Sequence, residues 1–204
     1  MERLDYYLRR AKKLIDEVNT SKKRIPPYHY LDPRRKPHYL VIMEWLKRHV
    51  SREDSILEVG CGIGLFGTWL RLEGYKNYTG VDIAKIQVDV GKLVDQENNL
   101  LCMDGCLLHF SGASFDFAGF INCFFNELPP RFIQEGLRVA RKYAEWDGYD
   151  LEELKRRGDT TLKGYRSLPS RMEVLTWLKG RNVVLDKMIP PDRHIYIVKI
   201  EGES

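Results

Sequence analysis

The chain is 204 residues long, 43% hydrophobic and 30% charged, with a formal net charge of +4. That length buries one substantial core with at most a small appendage, which excludes a large two-domain enzyme, and the composition excludes a disordered chain. No apolar run approaches the roughly 20 residues that span a bilayer, and the N-terminus is charged and amphipathic rather than a signal peptide, so a cytoplasmic protein is expected.

Leu4, Leu8, Ala11, Ile15 and Val18 recur every three or four residues and predict a helix from about residue 2 to 19. Pro26, Pro27 and Pro33 mark an irregular linker, and Pro37 opens a second helix through about Val50. Residues 1–50 carry 13 Lys/Arg against 6 Asp/Glu, and the basic clusters Lys22–Arg24 and Arg34–Lys36 flank Tyr28, His29 and Tyr30. These residues are read as a basic helical cap, and residues 51–204 as the main domain. A nucleic-acid partner is one use for such a cap, and a solvated loop surface is the other.

From Ser55 onward short apolar strands alternate with helices, the pattern of a parallel sheet with both faces covered. Strands are predicted at Ile56–Val59, Tyr78–Ile83, Leu100–Met103 and Phe115–Ile121, with helices at Gly64–Leu72, Lys85 to about Glu97, and Pro129 to about Tyr143. Between residues 144 and 168 no strongly apolar strand is evident; Leu151–Arg157 reads as helix and Thr160–Arg166 as a short fifth strand. Ser170 caps a helix through Lys179, and Val183–Ile189 and His194–Ile200 flank a turn so short that they must pair antiparallel.

The densest signal is Ile56-Leu57-Glu58-Val59-Gly60-Cys61-Gly62-Ile63-Gly64-Leu65-Phe66-Gly67, an apolar strand entering a glycine-rich turn and then a helix. Such a turn tolerates positive φ and lets a ligand reach main-chain N–H groups at the helix start. Both Gly60-x-Gly62-x-Gly64 and Gly62-x-Gly64-x-x-Gly67 fit, so the turn alone does not name its cofactor. Asp82 lies 20 residues beyond Gly62, a spacing that also suits the ribose of NAD. A carboxylate at the end of a strand accepts two hydrogen bonds from a vicinal diol, and an ionised Glu58 accepts from an ammonium directly or through water.

Taken together, residues 54–200 resemble the class I S-adenosylmethionine-dependent methyltransferases. Glu58 stands two residues before Gly60, as in that family's E-x-G-x-G-x-G pattern; Asp82, in Gly80-Val81-Asp82-Ile83, occupies the place of its ribose-binding acid. Asp104 and Gly105 match its adenine-side element, Ser114-Phe115-Asp116 its fourth strand, and the closing hairpin its reversed last strand. The resemblance implies a doubly wound, Rossmann-like sheet, mostly parallel with an antiparallel last strand, and S-adenosyl-L-methionine as cofactor. It implies a binding set of Glu58, Gly60, Cys61, Gly62, Gly64, Asp82, Ile83, Asp104, Gly105 and Asn122. The closing hairpin and the lack of a separate catalytic domain argue against NAD.

Methyl transfer from a sulfonium needs alignment and water exclusion more than a catalytic motif, and no catalytic residue is assigned. Asn122-Cys123-Phe124-Phe125-Asn126-Glu127 follows the fourth strand without the Asn-Pro-Pro-Tyr/Phe of the amino-methylating relatives or the Pro-Cys of cytosine-C5 enzymes. Glu127 and His109 are read as structural, as are Trp69, Trp146 and Trp177. Cys61, Cys102, Cys106 and Cys123 have no zinc spacing and are expected to be buried thiols, and no metal site is expected. A small molecule, protein or peptide is the favoured acceptor. The alternatives are RNA or DNA methylation through the basic cap, and a non-catalytic partner subunit on the same fold.

Overall fold

A computed structural model describes residues 36–124, 129–158, 168–191 and 193–201. The expected helix at residues 2–19, the basic linker, Glu127 and the short strand at Thr160–Arg166 lie outside the described residues. Pro37, whose missing N–H costs nothing in a first helical turn, begins helix α1 (Pro37–His49), and Lys47 and Arg48 place positive charge near its C-terminus. His38, Ile42, Met43, Trp45 and Leu46 make its buried face.

The alternation predicted from Ser55 is observed: β1 (Ser55–Val59), α2 (Leu65–Leu72), β2 (Asn77–Asp82), α3 (Lys85–Val94), β3 (Asn99–Cys102) and β4 (Phe115–Phe124). After them come α4 (Pro129–Val139), β5 (Ala140–Tyr149), α5 (Leu151–Arg156), α6 (Arg171–Trp177), β6 (Asn182–Ile189) and β7 (Arg193–Lys199). The strands form one sheet in the order β3-β2-β1-β4-β5-β7-β6, and only β7 runs antiparallel to its neighbours. The Rossmann-like, doubly wound sheet is thus present with its reversed last strand.

Two cores follow from the two faces of this sheet. Leu57, Val59, Ala118, Phe120, Ala144, Trp146, Tyr196 and Val198 pack against Phe132 and Ile133 of α4 and Val174 of α6. Ile56, Phe117, Ile121, Ile195 and Ile197 face the other way, against Ile42, Met43 and Leu46 of α1 and Phe66 and Leu70 of α2. Helix α1 therefore covers the same sheet as α2. Asp150 and Ser170 cap the short helices α5 and α6, the latter through a reciprocal capping box with Glu173.

The structure corrects the fifth strand. The helix expected from Pro129 to Tyr143 stops at Val139, and β5 begins at the next residue. Arg141 and Lys142, which continue a helical pattern in sequence, instead reach across to Asp116 and Asp54 (2.7 and 2.8 Å). Helix α3 likewise ends at Val94 rather than near Glu97, because the Asp95 carboxylate is taken by Thr68 and Arg71. Cys61 is buried as expected, but Cys102 is exposed. Burial pushes the half-buried Cys106 thiol up to about 11, so it stays protonated at neutral pH.

Asp116 anchors the start of β4: it accepts from the Ser55 amide (3.0 Å), the Ser55 hydroxyl (2.9 Å) and Arg141 Nη2 (2.7 Å). Burial opposes its charge, yet the bonds from Arg141, Ser55 and Lys142 outweigh that and hold its carboxyl well below the usual range. A depressed folded value means stability that is present above the unfolded value near 4 and lost as pH falls further. Asp116→Asn is accordingly expected to flatten the acid limb of a urea-stability profile between about pH 4 and pH 2; an unchanged limb would remove Asp116 from that role.

Candidate cofactor site at the strand ends

Three successive left-handed glycines shape the turn after β1: Gly60 (φ 75°), Gly62 (φ 58°) and Gly64 (φ 76°). The Gly60 and Cys61 N–H groups both donate to the Val81 carbonyl, tying the turn to β2 (2.8 and 3.0 Å). The glycines differ in what surrounds them. A Cβ on Gly64 would meet Leu100 Cδ2 at 2.9 Å, and one on Gly67 would meet Tyr78 Cε1 at 2.1 Å, so both permit close packing of α2 on the sheet. A Cβ on Gly62 would have only Gln87 Oε1 near it, at 3.9 Å. Gly62 thus faces open space with its backbone bare, which is what a ligand approaching the helix N-terminus requires.

Asp82, at the C-terminal end of β2, accepts from the Gly62 N–H through Oδ2 and from the Ala84 N–H through Oδ1 (both 2.8 Å). Burial raises its carboxyl, and those two amides oppose the shift. Each oxygen keeps a second lone pair for a hydroxyl. Ile83 beside it is 71% exposed, an apolar surface at the lip of the strand. Asp104 is exposed, and its Oδ1 accepts from the Cys106 N–H (2.8 Å). Gly105 is packed inward, since a Cβ there would lie 2.5 Å from Val59 Cγ1. His109 is exposed, Trp146 is buried, and Trp177 packs on the core.

Glu58 points into the sheet's α1-covered side, almost wholly buried, and accepts from the Tyr78 hydroxyl (2.5 Å). Burial pushes it up to about 7; nearby Asp82 and Asp147 add to the rise, and the Tyr78 bond opposes it. Asn122 adopts a left-handed φ of 60° at the open end of β4. Its N–H donates to Asp147 Oδ1, and its side-chain oxygen accepts from Arg193 Nη1. Arg193 lies over the Tyr149 ring at 3.9 Å. The structure therefore gathers Glu58, the glycine turn, Asp82 and Asn122 at one edge of the sheet, the carboxyl ends of the parallel strands, where ligands of open α/β sheets sit.

Four residues at this edge are not evident from the sequence: His38, Glu145, Asp147 and Arg193. His38 lies in the first turn of α1, and burial, with Arg193 and Lys36 nearby, lowers its imidazole to about 3. Glu145 and Asp147 belong to the misplaced fifth strand. Their period-two alternation with Ala144, Trp146 and Gly148 is the signal that would have found them.

Residues 57–144 match the family model described as a methyltransferase domain. The sheet order and the reversed β7 agree with that match. Over these residues the chain is similar to a methyltransferase domain. Among solved structures it is similar to a protein from Pyrococcus horikoshii at 18% identity, covering 87% of this chain and 97% of that one, with a TM-score of 0.67. It is also similar to magnesium protoporphyrin IX methyltransferase from Synechocystis, solved with bound S-adenosylhomocysteine (16% identity, 79% and 80% covered, TM-score 0.62). The cyclase SpnF shares the architecture too (14% identity, 81% and 82% covered, TM-score 0.67). No curated protein matches the chain. At such identities the likeness concerns the fold, and a fold hosts more than one chemistry. Among the described residues, no helix is long and apolar enough to cross a membrane, and no group of three or more potential ligands could hold a metal.

Proposed function

We propose that the chain binds S-adenosyl-L-methionine at the Gly60–Gly64 turn and transfers its methyl group to an acceptor, with a small molecule, protein or peptide favoured. The observation that carries this reading is Asp82 bonded to the Gly62 amide beside a Gly62 face left open. Asp82 would receive the ribose hydroxyls, Glu58 the donor's ammonium through water, and Ile83 and Asp104 the adenine side, with Gly60, Cys61, Gly62 and Gly64 as the backbone cradle. Gly105 would support that loop from within, and Asn122 would border the methyl. Bound there, the sulfonium supplies the activated methyl, and the protein aligns and shields it. Residues 1–50 are proposed as a cap ahead of the domain.

Calorimetric titration with S-adenosylhomocysteine, with NADH as the comparison ligand, tests this. Micromolar binding of the former alone is expected. Asp82→Ala removes both the diol acceptor and the brace on the Gly62 amide, so its affinity should fall about 10- to 100-fold, one hydrogen bond to a charged group or slightly more. Unchanged affinity in a folded Asp82→Ala protein would remove that assignment. Binding of neither ligand would favour a non-catalytic partner subunit.

A further inference from the structure

We propose that Glu58, Glu145 and Asp147 form a buried carboxylate layer beneath the donor turn that distinguishes the cationic methyl donor from its neutral thioether product, releasing a proton when the donor binds. This inference rests on the donor assignment made above. S-adenosylmethionine and S-adenosylhomocysteine share the ribose, adenine and amino-acid groups; they differ in the methyl and the positive charge on sulfur.

The layer is built by strand register. Glu58 of β1 pairs with Gly119 of β4, and Gly119 pairs with Glu145 of β5. Paired residues on parallel strands point to the same face, so the two carboxylates flank a residue with no side chain. A Cβ on Gly119 would already lie 3.3 Å from Glu145 Oε2. Asp147, two residues further along β5, continues the same face towards the ligand edge, where its Oδ1 holds the Asn122 amide. The layer thus runs under the sheet edge from the Gly60 turn to Asn122.

Its members are poorly compensated. Glu145 and Asp147 are fully buried, and Glu145 Oε1 and Oε2 and Asp147 Oδ2 have no hydrogen-bond partner. A second, non-acidic group points into the same place: the buried His38 Nε2, also without a partner, stands 3.9 Å from Asp147 Oδ2. The groups facing the layer are Tyr78 and Asp82 from β2, Lys36 and His38 at the start of α1, and Arg193 from β7. Arg193 and Lys36 act on Asp147; what acts on Glu145 is burial, then Asp147 and Glu58, all favouring its protonated form, against a nearby Phe120 amide that makes no full hydrogen bond to it. Three carboxylates in such a volume do not all ionise near neutral pH. A cation arriving at the edge above them favours ionisation, so a proton leaves to solvent as the sulfonium binds. The thioether brings the same ammonium but not the sulfonium charge.

The sign follows from linkage. Because binding releases a proton, donor affinity rises with pH while the layer still holds that proton, and it levels off once the layer is ionised. The ratio of donor to thioether affinity should rise about tenfold between pH 6 and pH 8, since one fully linked proton gives tenfold per pH unit and partial linkage gives less. The experiment is titration calorimetry of the full chain with S-adenosylmethionine and S-adenosylhomocysteine at several pH values, each in phosphate and in Tris, whose different ionisation enthalpies count the protons released. The expected result is that the sulfonium releases about half a proton or more beyond what the thioether releases. Glu145→Gln, an isosteric change, should reduce that difference while leaving thioether affinity within about twofold; if this variant does not fold, the wild-type proton count still decides. Equal pH dependence and equal proton release for two well-bound ligands would overturn the proposal and leave the donor site standing. Failure of both ligands to bind would overturn the donor assignment and this inference with it.

Discussion

Gly62→Val is expected to weaken S-adenosylhomocysteine binding at least about 100-fold, roughly 2.7 kcal/mol, in a protein that stays folded. Two features of Gly62 separate its cofactor role from the packing role of its neighbours. Its φ of 58° is a conformation that a β-branched residue adopts only with strain, on the order of 1–2 kcal/mol. That is a tolerable part of a typical 5–15 kcal/mol stability. Its Cβ meets nothing closer than Gln87 Oε1 at 3.9 Å, so the added branches do not collide with the core. They occupy the open side of the turn instead, where a ligand approaching the bare backbone would lie. Gly67→Ala is the opposite case, with a Cβ 2.1 Å from a Tyr78 ring carbon, and should cost folding before it affects ligand affinity. A melting curve paired with a titration separates the two. Retained tight binding by a folded Gly62→Val protein would show that the turn is not where the cofactor sits.

The contrast between these glycines marks how far the sequence is legible. Strand, glycine turn, helix and the acid at the end of the next strand are coded locally, so β1 through β4 and the set Glu58, Gly60, Gly62, Gly64 and Asp82 follow from residue order. The environment of each glycine depends on Tyr78, Leu100 and Gln87, which arrive from other elements. The fifth strand fails for a physical reason of the same kind. Tyr143, Glu145 and Asp147 alternate with Ala144, Trp146 and Gly148, and acids at alternate positions ordinarily mean a solvated face. Here α1, from a distant segment, lies over the same sheet face and its His38 stands beside Asp147, so both acids are buried. A tertiary contact overrides the local pattern, and it does so beside the proposed site, where departures from local rules are expected.

Trp146→Ala should cost about 3–5 kcal/mol of stability, the range for removing a large buried aromatic side chain. For a chain of this size that corresponds to a fall in Tm of roughly 6–20 °C. Trp146 is fully buried at the middle of β5, stacked on Phe120 with ring centroids 6.2 Å apart. Its indole N–H donates to the Phe132 carbonyl (3.2 Å), which the substitution would leave buried and unpaired. Helix α4 has no side chain to fill the gap where it faces the indole: Gly136 lies there, and a Cβ on it would sit 2.6 Å from the indole Cζ2. Trp146→Phe keeps most of the ring volume and loses the hydrogen bond, so about 1–2 kcal/mol is expected. Urea unfolding of the three proteins checks both values, and a loss below about 1 kcal/mol for Trp146→Ala would mean that the site repacks. The consequence reaches the candidate site through the strand itself. Trp146 fastens β5 on one face between the two residues, Glu145 and Asp147, whose carboxylates are buried on the other with Glu145 Oε1 and Oε2 and Asp147 Oδ2 unpaired. Burying such groups costs free energy, and the aromatic packing of the alternate residue offsets it. Loosening Trp146 should therefore let water reach the acids, and the preference of the donor over the thioether at neutral pH should weaken along with the stability.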